Sequence, residues 1–88
     1  MIWTVEWDDR ARRELRKLAP QIQQDVLGYL RERIAVDADP RRFGKSLTGA
    51  MLGLWRYRVG DHRLVCAIED KRRNVLVLRV AHRKEVYR

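Results

Sequence analysis

The sequence has few of the residues that cross-link small proteins. Cys66 is the single cysteine among 88 residues, so neither a disulfide within the chain nor a structural zinc site is expected, and Cys66 is predicted to be a buried core residue. No apolar run approaches the roughly 20 residues that a membrane-spanning helix needs. The N-terminus also lacks the basic segment and apolar stretch of a secretory signal. We therefore expect a cytoplasmic protein with no membrane segment.

Acidic residues are in the minority. The chain has 12 Asp and Glu against 20 Lys and Arg, which gives a formal net charge of +8. The apolar fraction of 45% suits a folded protein, and the length predicts a single domain over residues 1–88. So large a positive charge on a short chain indicates a polyanionic partner, usually nucleic acid. A protein whose surface is merely basic is the alternative.

The first half of the chain predicts one strand and two helices. Residues 2–7 alternate apolar and polar side chains, which is typical of a strand. Asp8 or Asp9 is a suitable N-cap for a helix in which Ala11, Leu15 and Leu18 recur at helical spacing. Pro20 ends this helix and can open the next. In the second helix apolar residues recur every four positions, at Ile22, Val26, Leu30 and Ile34.

The second half predicts three strands. Residues 37–40 break the second helix, and residues 41–53 are expected to form a loop. The predicted strands are 54–59, 62–68 and 75–82. The order β-α-α-β-β-β predicts an α+β fold, in which a small antiparallel sheet carries both N-terminal helices on one face.

The strand register can be predicted from the turns. A two-residue turn at Gly60-Asp61 places Arg58 opposite Arg63. For the second hairpin we align apolar residues, Leu64 with Val80, Cys66 with Leu78 and Ile68 with Leu76. A slip of one residue would exchange the two faces of the strand. The predicted core face consists of Trp55, Tyr57, Val59, Leu64, Cys66, Ile68, Leu76, Leu78 and Val80.

The opposite face is then rich in arginine. It is predicted to hold Arg56, Arg58, Arg63, Arg79 and Arg83, with Val75 and Val77 farther along the same side. Like charges that face each other destabilise a sheet, and no acidic strand residue faces these arginines. Arginine suits phosphate because its fork makes two parallel hydrogen bonds. This face is therefore predicted to bind an anion, and a solvated polar face is the alternative.

Two segments carry a family resemblance. The stretch at 47–65, with GLWRYRVGDHRLV at its end, and the C-terminal VAHRKEVY resemble the RelE/ParE superfamily of toxins. The resemblance covers nearly the whole chain. It implies a toxin that a cognate antitoxin neutralises. RelE-like members cleave mRNA on the ribosome without metal or cofactor, as the 2′-hydroxyl attacks the adjacent phosphate and expels the 5′-oxygen. ParE-like members inhibit DNA gyrase by binding. Cleavage is the leading interpretation and gyrase inhibition the alternative.

The resemblance also implies site residues. Arg63, Arg83, Arg56 and Tyr87 match catalytic positions of the RelE-like branch. The position of Arg56 is often lysine, and a second family lysine falls on Leu54 here. Arginine stays charged in proteins and is a poor base.

Other residues are expected to assist. His82 is a candidate general base because histidine titrates near neutral pH, whereas His62 is expected to be structural. The expected nucleic-acid contacts are Arg58, Arg79, Lys45, Arg41 and Arg42. The expected partners are the cognate antitoxin and mRNA on the ribosome.

Overall fold

The computed structural model describes residues 1–85, and its centre is a five-stranded mixed sheet in the order β1-β5-β4-β3-β2. The strands are Thr4–Trp7 (β1), Lys45–Ser46 (β2), Trp55–Val59 (β3), His62–Glu69 (β4) and Asn74–His82 (β5). The helices are Asp9–Arg16 (α1) and Pro20–Tyr29 (α2), and a wider π-type turn continues α2 over Leu30–Ile34. Short 3₁₀ turns lie at Pro40–Arg42 and Gly49–Met51.

The predicted α+β order is confirmed, with two corrections. The region predicted as a loop over 41–53 contains β2, which pairs antiparallel with β3. The sheet is mixed and not purely antiparallel, because β1 pairs parallel with β5 and brings Val5 beside Val75. The two helices connect β1 to β2 at the opposite edge of the sheet, and the chain returns through β3 and β4 to β5.

Local sequence signals account for the helices. The Asp8 side chain accepts a hydrogen bond of 3.1 Å from the Arg10 N–H and caps α1, as predicted. Pro20 opens α2, where its missing N–H costs no helical hydrogen bond. The predicted apolar stripe is confirmed, since Val26, Leu30 and Ile34 are buried and Ile22 packs against the core.

The register of the sheet agrees with the prediction only near the turn at Gly60 and Asp61. Arg58 pairs with Arg63 and Leu64 with Val80, as predicted. A bulge between Val65 and Cys66 then shifts β4 against β5. The predicted pairs beyond it are wrong, because the observed pairs are Cys66 with Val77, Ala67 with Leu76 and Ile68 with Val75. As a result Val75 and Val77 are fully buried in the core, whereas Leu76 and Leu78 leave it.

Two aromatic residues hold the chain that leads into β2. The Trp55 indole N–H donates to the Phe43 carbonyl at 2.7 Å, and the buried Tyr57 hydroxyl donates to the Pro40 carbonyl at 2.8 Å. Both bonds join the core side of β3 to residues 40–43. They therefore determine where Lys45 lies on the sheet. No helix within residues 1–85 is long and apolar enough to cross a membrane.

Candidate nucleic-acid interface

Basic side chains share the face of the sheet that points away from the helices. Lys45 pairs with Arg56, Arg56 with Val65, and Val65 with Arg79, so these four residues form one row across four strands. Directly opposed residues of a sheet point to the same side. The next row holds Arg58 and Arg63. We call the following residues the basic face: Lys45, Arg56, Arg58, Arg63 and Arg79.

Arg83 lies beside the hairpin end of the basic face. It follows β5 and is exposed, and its backbone N–H donates to the Asp61 carbonyl at 2.8 Å. Arg63 is only 9% exposed, and its Nη1 donates to the carbonyls of Gly60 and His62 at 3.4 and 3.3 Å. The hairpin turn thus holds the Arg63 side chain against the sheet through two carbonyls, and it holds the backbone of Arg83 through a third.

Arg79 has a carboxylate partner. Its Nε donates to the two carboxylate oxygens of Glu14 at 3.0 and 3.3 Å, and one of these oxygens also accepts the Val80 N–H at 3.0 Å. Glu14 lies on α1, which covers the edge of β5 where β1 has ended. Because the Arg79 side chain is only 13% exposed, this pair orients the guanidinium. A nucleic-acid contact of Arg79 stays a prediction.

Four further cations at or beside the basic face lack a carboxylate partner in the described part of the chain. Within residues 1–85, no carboxylate forms a salt bridge with Lys45, Arg56, Arg58 or Arg83. The Nε of Arg56 is buried and has no hydrogen-bond partner among these residues. A buried donor without an acceptor is costly. The fold therefore keeps this donor at a cost, beside cations that no carboxylate of the described residues neutralises.

Arg41 and Arg42 lie elsewhere and bind other groups. Arg41 makes two hydrogen bonds, of 2.8 and 2.9 Å, to the carboxylate of Asp70, which follows the far end of β4. These bonds raise the pKa of the Arg41 guanidinium and lower the pKa of the Asp70 carboxyl. Arg42 donates to the carbonyls of Asp39 and Arg33 and lies 4.6 Å from the centre of the Phe43 ring. The structure does not bring either arginine to the basic face.

His82 lies on the face of the sheet that the helices cover, which is the opposite face from Arg63. It pairs with His62, and the two imidazole rings meet edge to face with their centres 5.8 Å apart. Both line a cavity of about 320 Å³ with Ile22 of α2 and the hairpin turn. The Nδ1 of His82 accepts the Lys84 N–H at 3.3 Å. The candidate base is therefore separated from the arginines by the sheet. Tyr87, the remaining predicted catalytic residue, lies outside the described residues.

Sequence reasoning missed two features of this face. It did not place Lys45 beside Arg56, because a strand of two residues is too short for an alternating pattern to reveal. It did not identify Glu14 as the partner of Arg79, because 65 residues separate them. No group of three or more His, Cys, Asp or Glu side chains in residues 1–85 could hold a metal ion.

Comparison with known proteins identifies the family of this chain. The sequence profile described as ParE toxin of type II toxin-antitoxin system, parDE, matches residues 5–87. Toxin RelG of Mycobacterium tuberculosis is 36% identical over 88 residues, which cover 100% of this chain and 99% of that protein.

Solved structures of toxins from the same family have a similar fold. The toxin-antitoxin complex RelBE2 from M. tuberculosis contains a chain that superimposes with a TM-score of 0.85 at 34% identity, covering 93% of this chain and 99% of that one. The archaeal RelE-RelB complex from Pyrococcus horikoshii matches with a TM-score of 0.72 at 23% identity, covering 98% and 100%, which shows the fold. The chain belongs to the RelE/ParE superfamily of toxins of type II toxin–antitoxin systems.

Proposed function

We propose that this toxin is a metal-independent endoribonuclease that cleaves mRNA on the ribosome. The observation that carries the proposal is a group of four cations at one sheet face, Lys45, Arg56, Arg58 and Arg83, that form no salt bridge with a carboxylate within residues 1–85. A surface evolved only for solubility would not need like charges opposite each other, as Arg58 and Arg63 are. Phosphate is the anion whose shape and charge arginine matches best.

The proposed reaction is a transesterification within the RNA. The 2′-hydroxyl oxygen forms a bond to phosphorus and loses its proton to a base. The bond from phosphorus to the 5′-oxygen breaks, and that oxygen takes up a proton. The products are a 2′,3′-cyclic phosphate and a free 5′-hydroxyl. Arg56, Arg58, Arg63 and Arg83 would stabilise the negative charge that builds up on the phosphate oxygens.

The arginines do not provide a proton acceptor for the 2′-hydroxyl. Guanidinium groups stay protonated, so none of the arginines is a good base. Lys45 brings an amine to the basic face directly opposite Arg56, whereas His82 lies on the other side of the sheet. We therefore expect Lys45 to affect cleavage more than His82 does. Tyr87 stays a proposed contact to the RNA. The ribosome would contribute by holding the 2′-hydroxyl in line with the scissile bond.

The proposed partners follow from the same surface. Structural neighbours of this chain were solved as complexes with antitoxins. We propose a cognate antitoxin whose acidic, amphipathic segment folds on binding and covers part of the basic face. The toxin would act in the cytoplasm, where it meets translating ribosomes.

Inhibition of DNA gyrase is the second candidate. It is favoured by one observation, the ParE description of the family profile that matches residues 5–87. A gyrase inhibitor acts by binding and needs no arrangement around a scissile phosphate. The uncompensated arginines favour cleavage, so gyrase inhibition is kept as the alternative outcome of the test.

Primer extension on a reporter mRNA in a purified translation system tests the proposal. Wild-type protein should shorten the transcript within the coding region. Arg83→Ala should reduce the cleavage rate by about 10²–10³, the usual effect of removing one transition-state donor. Arg72→Ala is the matched control, because Arg72 is exposed in the β4–β5 turn beside Glu6 and Glu69. Intact transcripts in this system, together with gyrase-dependent double-strand breaks in cells that express the protein, would instead establish the alternative.

A further inference from the structure

We propose that an apolar cleft beside the basic face binds one nucleobase of the single-stranded RNA. This inference rests on the proposed function, since it concerns the same substrate. The cleft has a volume of about 380 Å³. Its apolar lining is Met51, Leu54, Val65 and Leu78, and Asp8, Arg10 and Arg79 form its rim.

The bulge in the sheet creates the floor of the cleft. Because Val65 pairs with Arg79 and Cys66 with Val77, Leu78 has no cross-strand partner in β4. It is displaced from the core and lines the cleft beside Val65. Val65 is only 1% exposed although it points away from the helices, so residues outside the main core must cover it.

The loop before β3 forms the wall. The Leu54 carbonyl accepts the Leu47 N–H at 3.0 Å, which extends the β2–β3 ladder, and the Leu54 N–H donates to the Met51 carbonyl at 3.1 Å. These bonds fix the backbone on both sides of the Leu54 side chain. Leu54 and Met51 are both half-buried, so the cleft keeps an apolar surface open to a ligand.

The position of the cleft favours a nucleobase over other apolar ligands. Val65 on its floor lies in the same row as Lys45 and Arg56, whose charges have no carboxylate partner in the described part of the chain. Proteins bind single-stranded RNA by pairing a cationic track for the phosphates with apolar or aromatic surfaces for the base faces. Asp8 and Arg10 on the rim add an acceptor and a donor that can contact the edge of a base.

Fluorescence anisotropy with 2′-O-methyl hexanucleotides tests the inference, because these probes lack the attacking hydroxyl. An abasic site is placed at each position in turn. Wild-type protein should lose about tenfold in affinity or more when one particular base is absent, as expected for a lost base contact. Leu54→Ala should weaken binding of the intact probe to a similar degree and bind the abasic probe no more weakly than wild type does.

Salt dependence and matched variants separate this site from the phosphate contacts. Leu54→Ala should leave the slope of log affinity against log salt unchanged, because it removes no phosphate contact. Leu52→Ala, in the same loop but 78% exposed and outside the cleft, should behave as wild type. Leu54→Met, which conserves volume, should keep most of the base discrimination. Thermal melts check folding, and if Leu54→Ala unfolds, the abasic series on wild-type protein decides the question.

Each outcome has one meaning. If wild-type protein binds no probe, or binds without salt dependence, the proposed function is wrong. If binding depends on salt but no abasic position matters, the proposed function stands and the nucleobase site is overturned. If Leu54→Ala weakens the antitoxin complex and leaves RNA binding unchanged, the cleft docks protein and the inference is again overturned.

Discussion

At the scale of single residues, the basic face combines repulsion with a buried, unsatisfied donor. Arg58 and Arg63 are directly opposed on neighbouring strands, and the Nε of Arg56 is buried without a hydrogen-bond partner in residues 1–85. The arginines outside this face are arranged differently, as the pairing of Arg41 with Asp70 shows. Lys45, Arg56, Arg58 and Arg83, which have no carboxylate partner among the described residues, therefore lie where the RNA phosphate is proposed to bind.

This arrangement predicts a trade between stability and activity at Arg58. Arg58→Ala removes a like charge from opposite Arg63 and should raise the free energy of unfolding by about 0.2–1 kcal/mol at low salt. The same variant should lower mRNA cleavage. Urea denaturation at low and high salt measures the first effect, which should shrink as salt screens the repulsion. Arg41→Ala is the control and should lower stability, because it breaks two hydrogen bonds to Asp70. A destabilised Arg58→Ala would contradict this account.

At the scale of elements, the two-residue strand β2 depends on a glycine. Gly44 has φ of +73°, and an added Cβ would meet the Arg56 carbonyl, with the Trp55 indole nitrogen at 2.8 Å and the Tyr57 ring at 2.9 Å. Backbone and buried rings cannot easily move aside. Close approach at Gly44 is thus what allows Lys45 to pair with Arg56.

Gly44→Ala should therefore disrupt β2 and weaken RNA binding. Gly49→Ala is the matched control, because Gly49 also has a positive φ, +64°, but nothing lies within 4 Å of an added Cβ. The control should lose only the roughly 1–2 kcal/mol that left-handed backbone costs an L-residue, and Gly44→Ala should lose more. Urea denaturation and RNA anisotropy measure the two effects. Equal losses in both variants would show that close packing at Gly44 is unimportant.

At the scale of the whole molecule, the net charge of +8 is unevenly distributed between basic residues that pair with acids and basic residues that do not. Arg79 is paired with Glu14 and Arg41 with Asp70, whereas Lys45, Arg56, Arg58 and Arg83 form no salt bridge with a carboxylate within residues 1–85. The surface that attracts nucleic acid is therefore smaller than the net charge suggests.

RNA binding should consequently show a moderate salt dependence. About four phosphate contacts, from Arg56, Arg58, Arg63 and Arg83, predict a slope near −3 at roughly 0.7 per contact for a single strand. Arg56→Ala should reduce the magnitude of the slope by about 0.7, whereas Arg72→Ala should leave it unchanged. Anisotropy titrations over a range of salt concentrations measure this. A slope much steeper than −3 would mean that further arginines, away from this surface, also bind RNA.

Features that rest on local rules could be predicted from the sequence. The helical stripe of Val26, Leu30 and Ile34 follows from a period of 3.6 residues. The pairing of Arg58 with Arg63 follows from a two-residue turn, because such a turn leaves a single register.

Features that join distant segments could not be predicted from the sequence, because they depend on how the folded chain packs. The bulge exchanged Leu78 for Val77 in the core, β2 brought Lys45 to Arg56, and Glu14 came to cover the edge of β5. Alternation along a strand cannot reveal a bulge, because an extra residue is set by how the whole sheet packs against the helices. The composition of the basic face is therefore a property of the packed sheet and not of any one strand.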